Sequence, residues 1–277
     1  MKKTITLLAV LLILVGCGSK KETSTGNGEG EVTIISIACS PTPHAEILRY
    51  AASILEKDFI ELNIYEFEDY VQPIEVVESG EIDANYFAHV PYLDNYNDEH
   101  GTHQVVAGKI HYEPFGIYPG TKSSLEELAD GDVIFVPNDG TNETRALLLL
   151  QDNGLITLPA GTGADTIVTV NDIESYNVKV DIKELEAAQI SRVKDEAAVV
   201  ILNGNYALAA GLNVSKDAIA YEKSDSSAAQ TYVNVVAVTQ GNENDPAIQK
   251  LVEVLKSQDV VDYINATYEG AVVPFGN

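Results

Sequence analysis

Short apolar runs alternate with amphipathic stretches along this chain, and the alternation predicts strands followed by helices. Val32–Ala38 reads VTIISIA, a β-branched run typical of a buried strand, and His44–Glu56 then places apolar residues on one helical face. Ile60–Phe67 alternates apolar and polar positions, which indicates a second strand, and a short helix is predicted at about Val71 to Glu78. This strand–helix–strand–helix order favours an α/β fold with a parallel sheet.

Later segments contain the apolar runs of further strands: Val105–Tyr118 (interrupted at Glu113-Pro114), Ala197–Leu202 and Tyr232–Thr239. A strand passes through a short polar turn into a helix N-terminus at residues 38–44, 136–145 and 202–206. In open α/β sheets, ligands bind beyond the carboxyl ends of the strands, where such turns gather. We therefore expect two lobes that face each other across a cleft, with these turns on either side of one ligand.

Residues Val133–Leu150, which read VIFVPNDGTNETRALLLL, contain the first candidate for ligand chemistry. An apolar strand enters a polar turn, and residues 141–142 can cap the helix that follows. Arg145 in the first helical turn is unfavourable by roughly 0.3–1 kcal/mol beside the positive end of the helix dipole, unless an anion binds nearby. Free N–H groups and a guanidinium together form a good carboxylate receptor. The alternative is a surface ion pair of Arg145 with Asp139 or Glu143.

Aromatic residues concentrate in Asn85–Leu93 (NYFAHVPYL), although they make up only 7% of the whole chain. Phe87, His89 and Tyr92 follow a Gly/Asp turn and suit the wall of a small-molecule pocket, which is mostly apolar with a few polar groups. Phe115 can extend this wall. The alternative is that Phe87 and Tyr92 belong to the core.

The N-terminus reads as a processing signal rather than as part of the fold. Two lysines precede an apolar stretch, Ile5–Val15, that is too short to span a bilayer as a stable helix. The sequence then continues to Gly-Cys, which resembles the lipobox of bacterial lipoproteins. The resemblance implies that residues 1–16 are a signal peptide and that Cys17 carries lipid such as palmitate; an ordinary secretory signal is the alternative. The polar residues 17–31 read as a flexible tether.

Charge and cysteine content exclude several classes of partner. The chain has 277 residues with 17 basic and 42 acidic side chains, and its net charge of −25 should repel nucleic acid and anionic membrane surfaces. Once Cys17 is lipidated, Cys39 has no cysteine partner. We therefore expect neither a disulfide nor a cysteine-based metal site.

Motifs for catalysis and metal binding are scarce. The sequence contains no G-x-S-x-G, P-loop, G-x-G-x-x-G or H-E-x-x-H motif, so we expect neither an enzyme nor a cofactor. A secreted hydrolase is one alternative. A metal-ion receptor is another, because His100 and His103 lie in an acidic loop with Asp94 and Asp98. A solvated loop with two incidental histidines explains the same pattern.

Five longer motifs stand out: DANYFAHVPYLD (Asp83–Asp94), HYEPFGIY (His111–Tyr118), VPNDGTNETRALLLL (Val136–Leu150), NGNYALAAGL (Asn203–Leu212) and YVNVVAV (Tyr232–Val238). Together they closely resemble the methionine-binding lipoproteins of MetQ/NlpA type, which are the substrate-binding proteins of methionine ABC importers. The similarity extends over nearly the whole mature chain, from Val32 to Phe275.

The resemblance implies a two-lobed α/β fold of the type II periplasmic-binding-protein class, with the ligand in the cleft between the lobes. Lobe I would comprise residues 32–112 and 234–277, and lobe II residues 113–233. The implied function is that of a lipid-anchored solute-binding protein on the extracytoplasmic face of the cell membrane, a monomer that captures L-methionine or a close relative. It would deliver this amino acid to the permease and ATPase subunits of an ABC importer.

The resemblance also implies roles for individual residues. Arg145 would clamp the ligand carboxylate, and Asn205 and Asn234 would hold the α-amino and carboxylate ends. Asn142 and Asn203 would add polar contacts. The side-chain pocket would be lined by Tyr70, Phe87, His89, Tyr92 and Phe115. A soft thioether packs favourably against aromatic edges, at roughly 0.3–1.5 kcal/mol for each contact.

Overall fold

Strands and helices alternate along the chain in the computed structural model, which describes residues 31–223 and 230–276. The strands are β1 (Thr33–Cys39), β2 (Ile60–Glu66), β3 (Ala84–His89), β4 (Gln104–Tyr112), β5 (Gly116–Pro119), β6 (Val133–Pro137), β7 (Ile156–Thr157), β8 (Ser175–Tyr176), β9 (Asp181–Leu185), β10 (Val199–Leu202), β11 (Ala220–Tyr221), β12 (Val233–Thr239) and β13 (Val273–Pro274). The helices are α1 (Glu46–Leu55), α2 (Gln72–Glu78), α3 (Val90–His100), α4 (Gly140–Asp152), α5 (Ala187–Ile190), α6 (Gly204–Ala209), α7 (Val214–Asp217), α8 (Pro246–Leu255) and α9 (Gln258–Tyr268).

Two sheets divide these strands between two lobes. One sheet has the order β13-β4-β12-β3-β1-β2, in which β1 runs parallel to β2 and β3 while β12 runs antiparallel to β3 and β4. The other has the order β11-β5-β10-β6-β9, in which β6 runs parallel to β9 and β10. We call the parts of the chain built on these sheets lobe I and lobe II. The arrangement confirms the predicted two-lobed α/β fold.

Central strands are buried on both faces, as their sequences predict. Every residue of β3 is buried, and β12 is buried from Val233 to Val238. Because helices cover both faces of such strands, their sequences read as continuous apolar runs rather than as alternating patterns. Helix α1 packs through the predicted face, with Ile47, Leu48 and Leu55 fully buried. The helix begins two residues later than the predicted His44, after a turn over Pro41–Ala45 in which Thr42 is extended rather than helical.

The chain crosses from lobe I to lobe II between β4 and β5 and returns between β11 and β12. The first crossing is the predicted interruption at Glu113-Pro114. Residues 113–115 are buried, so this crossing lies inside the protein rather than on its surface. This first crossing therefore carries side chains that both lobes surround.

Several predictions for the N-terminus lie outside the described residues. They concern the signal peptide at residues 1–16, lipidation of Cys17 and all of the tether except Glu31. Among the residues that are described, none of the helices is both long enough and apolar enough to cross a membrane.

Candidate functional site

A small cavity of about 20 Å³ lies between the two lobes. Its lining includes every predicted ligand-binding residue except Phe115: Tyr70, Phe87, His89, Tyr92, Asn142, Arg145, Asn203, Asn205 and Asn234. Ala88, Glu113 and Gly204 also line it. The turns that follow β6 and β10 meet the aromatic segment of lobe I here, as predicted, whereas the turn at residues 38–44 does not line this cavity.

Aromatic rings form one side of the cavity. The ring centroid of Tyr70 lies 5.6 Å from that of Phe87, 5.5 Å from that of Tyr92 and 5.0 Å from that of Tyr206. Tilted and edge-on rings at such distances attract one another. Phe87 and Tyr92 also pack in an apolar cluster with Val233 and its neighbours in β12. The same rings therefore serve as core on one side and as pocket wall on the other.

His89 uses one ring nitrogen within lobe I and the other to reach lobe II. It caps helix α3, where its Nδ1 accepts a hydrogen bond from the backbone N–H of Tyr92 at 3.1 Å. The proton therefore sits on Nε2, which donates to Oδ1 of Asn142 in lobe II at 3.0 Å. Burial and the charge of Arg145 lower the pKa of His89 to about 3, so the ring is neutral near pH 7. It presents an uncharged ring to the cavity.

Asn142 is held by several protein partners. Its Oδ1 also accepts a hydrogen bond from Nδ2 of Asn203 at 2.8 Å, and its own Nδ2 donates to Asp139. Asp139 is the N-cap of α4, in place of the predicted residues 141–142, and accepts the backbone N–H of Asn142 at 3.0 Å. Both acceptor sites of Oδ1 are therefore engaged, whereas the two Nδ2 contacts go to one carboxylate through a single N–H and leave the other N–H as a donor. Its side chain orients His89 and Asn203.

Arg145 forms a buried ion pair with Glu222, a residue that the sequence did not single out. Nε donates to Oε1 of Glu222 at 2.8 Å and Nη2 donates to Oε2 at 2.6 Å. Nη2 also donates to the backbone oxygen of Glu113 at 2.9 Å. Such two-pronged pairs fix the plane of the guanidinium. Among the described residues, no hydrogen bond engages Nη1, the remaining nitrogen of this cavity-lining side chain.

The alternative prediction, a surface ion pair of Arg145 with Asp139 or Glu143, was wrong. Asp139 caps the helix, and Oε1 of Glu143 accepts the backbone N–H of Val170 at 2.8 Å. These acids point away because each is needed by backbone N–H groups close to it. Burial raises the pKa of Glu143 to about 7.

Phe115 and Tyr232 pack against Arg145. The guanidinium carbon lies 4.7 Å from the ring centroid of Phe115 and 4.3 Å from that of Tyr232. A guanidinium over an aromatic face is attracted by the ring quadrupole. Phe115 is fully buried and does not line the cavity, so the structure places it behind Arg145 rather than in the predicted wall.

The asparagine side chains present both donors and an acceptor to the cavity. Oδ1 of Asn205 accepts a hydrogen bond from the hydroxyl of Tyr70 at 2.6 Å, and Oδ1 of Asn234 lies 3.0 Å from Nε2 of His44. The amide nitrogens of Asn205 and Asn234 thus remain as donors. Oδ1 of Asn203 is buried with no partner among the described residues, so it is an acceptor that a ligand can satisfy.

Glu113 places a second buried carboxylate in the cavity wall. Its Oε1 lies 2.8 Å from Nε2 of His111 and 3.4 Å from Nε2 of His44. Burial raises the pKa of Glu113, whereas His44, Arg145 and the backbone N–H of Asn205 act to lower it. The sequence marked Glu113 only as a break between strands, because one acid among 42 gives no signal of its own.

The predicted alternative metal site does not assemble. The ring of His100 stacks on Tyr96 at 4.2 Å, and Nδ1 of His103 lies 3.0 Å from Glu78. Within residues 31–223 and 230–276, no cluster of three metal-capable side chains includes either histidine. The compact group that does occur is His44, His111 and Glu113, whose ligand atoms all lie within 4.8 Å of one another.

Comparisons with known proteins agree on one relationship. The family model described as NlpA lipoprotein matches residues 35–276. The methionine-binding lipoprotein MetQ of Bacillus subtilis is 36% identical over 244 residues, covering 87% of each chain. A nutrient-binding protein from Burkholderia cenocepacia, solved bound to methionine, is 38% identical with a TM-score of 0.83, covering 87% of this chain and 99% of that one. A periplasmic substrate-binding protein of an ABC transporter from Coxiella burnetii is 35% identical with a TM-score of 0.81, covering 87% and 99%.

Proposed function

The chain belongs to the NlpA lipoprotein family, and on that premise we propose that it captures L-methionine, or a close relative, and delivers it to an ABC importer. Its relatives bear the names of binding proteins rather than of enzymes, and one of them was solved with methionine bound. The observation that carries the proposal is the interlobe cavity, which combines aromatic rings with polar atoms that the protein leaves unsatisfied.

The aromatic side of the cavity suits a thioether side chain. Tyr70, Phe87 and Tyr92 offer ring faces and edges at the distances found in packed aromatic clusters. Sulfur near a ring edge gains roughly 0.3–1.5 kcal/mol for each contact. The neutral ring of His89 adds no charge that would oppose an apolar side chain.

The polar side suits the backbone of a zwitterionic amino acid. Nη1 of Arg145 and the amide nitrogens of Asn205 and Asn234 are donors for a carboxylate. Oδ1 of Asn203 is an acceptor for an ammonium group. In this arrangement Arg145 holds the carboxylate through one nitrogen, because Glu222 occupies the other two.

Closure of the lobes completes the site. His89 of lobe I bonds Asn142 of lobe II, and Tyr70 of lobe I bonds Asn205 of lobe II. Near the same cleft, the hydroxyl of Tyr206 donates to the backbone oxygen of Glu68 at 2.9 Å. These bonds bridge the lobes next to the space that the ligand would fill. The protein would therefore close on its ligand as a trap and open to release it.

Anchoring and partners follow from the proposed function. Lipid on Cys17 would hold a monomer at the extracytoplasmic face of the cell membrane, where it meets the permease and, through it, the ATPase. Lobe I would span residues 32–112 and 234–277 and lobe II residues 113–233, a division that the two sheets support.

Calorimetric titration of the mature protein tests the proposal, after unfolding and refolding to remove any bound ligand. We expect saturable heat with L-methionine at one site per chain. The absence of heat from refolded protein with a native circular dichroism spectrum would overturn the assignment. Mass spectrometry of ligand released from protein purified without unfolding gives an independent result. Methionine would support the proposal, and a stoichiometric metal would support the metal-receptor alternative instead.

A further inference from the structure

Glu113 is a buried carboxylate in the cavity wall whose direct partners are uncharged. Its side chain is 6% exposed, and its near neighbours His44 and His111 are more deeply buried still. Burial lowers the pKa of His44 to about 4 and that of His111 to about 3, so both are neutral near pH 7. Arg145 reaches only the backbone oxygen of Glu113, because its ion pair is with Glu222.

The two histidines lie on one side of the carboxylate, and His111 is hydrogen-bonded to it. Nε2 of His111 lies 2.8 Å from Oε1, and Nδ1 of the same ring is hydrogen-bonded to the hydroxyl of Tyr86. Nε2 of His44 lies 3.4 Å from Oε1, and Nδ1 of His44 is buried without a partner among the described residues. A buried N–H without an acceptor is costly, so the proton of His44 belongs on Nε2, facing Glu113 and Asn234.

The other carboxylate oxygen lies against the opposite lobe. A Cβ atom built on Gly204 would lie 2.7 Å from Oε2 and 2.6 Å from Cβ of Glu113. Gly204 itself lines the cavity, so only a residue without a side chain lets the carboxylate and the start of α6 approach this closely. Glu113 is thus fixed between the lobes at the edge of the ligand space.

We propose that the Glu113 carboxylate is the counter-ion of the ligand's ammonium group, and that His44 and His111 are positioning residues that aim it. The inference rests on the proposed function and restricts the ligand class to compounds with a charged amine. Among the described residues that line the cavity, Arg145 is the one cation and is already paired with Glu222, whereas the Glu113 carboxylate has no cation of its own. An ammonium group supplies the missing positive charge, and Oδ1 of Asn203 supplies it with a further acceptor.

A metal ion is the competing occupant of the same three side chains. It would require the lone pair of Nε2 on His44, which moves the proton to Nδ1. That nitrogen has no acceptor among the described residues, whereas metal-bound histidines normally donate their second N–H to a neighbouring group. The geometry therefore favours the ammonium group, and the metal becomes an outcome of the test.

The test compares L-methionine with 4-(methylthio)butanoate, which lacks only the amine, by calorimetry on the mature chain. We expect wild type to bind L-methionine about 100-fold more tightly. Glu113→Gln should lose about 100-fold in affinity for L-methionine and less than about 3-fold for the butanoate. Glu61→Gln, an exposed position in β2, makes the same charge change and should alter neither value.

His111 separates positioning from folding. His111→Phe removes the donor and should lower the ratio of the two affinities, whereas His111→Gln keeps an N–H near the position of Nε2 and should restore the ratio. Thermal unfolding of each variant identifies any that fail to fold. The ratio of the two affinities in wild type is measured directly, so it tests the proposal even if a variant fails to fold.

The outcomes are distinct. If wild type binds neither compound, the proposed function fails. If wild type binds both compounds equally, or if Glu113→Gln loses the same factor for both, the ammonium role is overturned while amino-acid binding stands. Titration with zinc chloride decides the competing case: stoichiometric binding to wild type that is lost in Glu113→Gln and His111→Phe would replace the ammonium with a metal.

Discussion

Arg145 and Glu222 form a two-pronged ion pair in the interior, with Nε–Oε1 and Nη2–Oε2 distances of 2.8 and 2.6 Å. The side chains are 3% and 9% exposed. Glu222 also accepts hydrogen bonds from the hydroxyl of Tyr112 and the backbone N–H of Phe115, at the first crossing between the lobes. The pair thus ties the end of lobe II to the hinge and sets the direction in which Arg145 points.

Replacing Glu222 by Gln should destabilise the protein strongly. The change leaves the buried guanidinium without a counter-ion, which typically costs about 3–5 kcal/mol. Urea unfolding followed by circular dichroism measures the loss. Glu269→Gln is the matched control, because Glu269 pairs with Lys216 at the surface and should leave the midpoint unchanged. Equal midpoints for Glu222→Gln and wild type would show that the pair contributes no stability.

The double variant Arg145→Met, Glu222→Leu separates folding from ligand binding. Replacing a buried ion pair by apolar side chains of similar volume is often neutral or stabilising, so we expect the double variant to be more stable than either single variant. Methionine affinity should still fall by several kcal/mol, because the donor to the carboxylate is gone. Urea unfolding and calorimetry on the same preparations measure both effects. Retained methionine affinity in the folded double variant would remove Arg145 from the site.

Local sequence signals predicted the parts of the site that lie next to strand ends. The aromatic segment around Phe87 and the turns that carry Arg145 and Asn205 were recognisable because apolar runs stop at polar residues there. Family resemblance, rather than periodicity, supplied the roles of Asn203 and Asn234.

Long-range pairings were not predictable from the same signals. Glu222 lies 77 residues from Arg145 in the chain, outside any periodic pattern. Arg145 pairs with Glu222 rather than with Asp139 or Glu143 because these nearer acids accept hydrogen bonds from backbone N–H groups. Phe115 was assigned to the wall because it lies two residues after Glu113 and beside Gly116. The burial of the crossing, which no local pattern reveals, places it behind Arg145 instead.

Tyr70→Phe should weaken ligand binding by speeding release. The change removes the hydroxyl that bonds Asn205 across the cleft at 2.6 Å but keeps the ring in the aromatic wall. A hydrogen bond of this kind contributes about 1 kcal/mol net, so we expect about a fivefold loss of affinity.

Stopped-flow measurements should find the change in the dissociation rate, because the bond forms only in the closed state. Tyr65→Phe, at an exposed position of β2, is the control and should leave both rates unchanged. A slower association rate with unchanged dissociation would contradict a role in closure.

Stability should fall as the pH drops below about 6.5, because buried neutral histidines resist protonation. The pKa of His44 is lowered to about 4, and those of His89 and His111 to about 3, chiefly by burial. Between these values and 6.5 the unfolded chain binds more protons at the three histidines than the folded chain, so acidification favours unfolding.

Glu143 acts in the opposite sense, since its raised pKa of about 7 makes the folded chain the better proton acceptor there. Burial also raises the pKa of Asp94, Glu113 and Asp139, so these acids oppose the histidines as Glu143 does, and we expect a net loss of less than about 2 kcal/mol per pH unit near pH 6. Urea unfolding at pH 7.0, 6.0 and 5.5 measures this slope, and Glu143→Gln should steepen it. A free energy of unfolding that stays constant or rises from pH 7.0 to 5.5 would contradict the prediction that the histidines outweigh these acids.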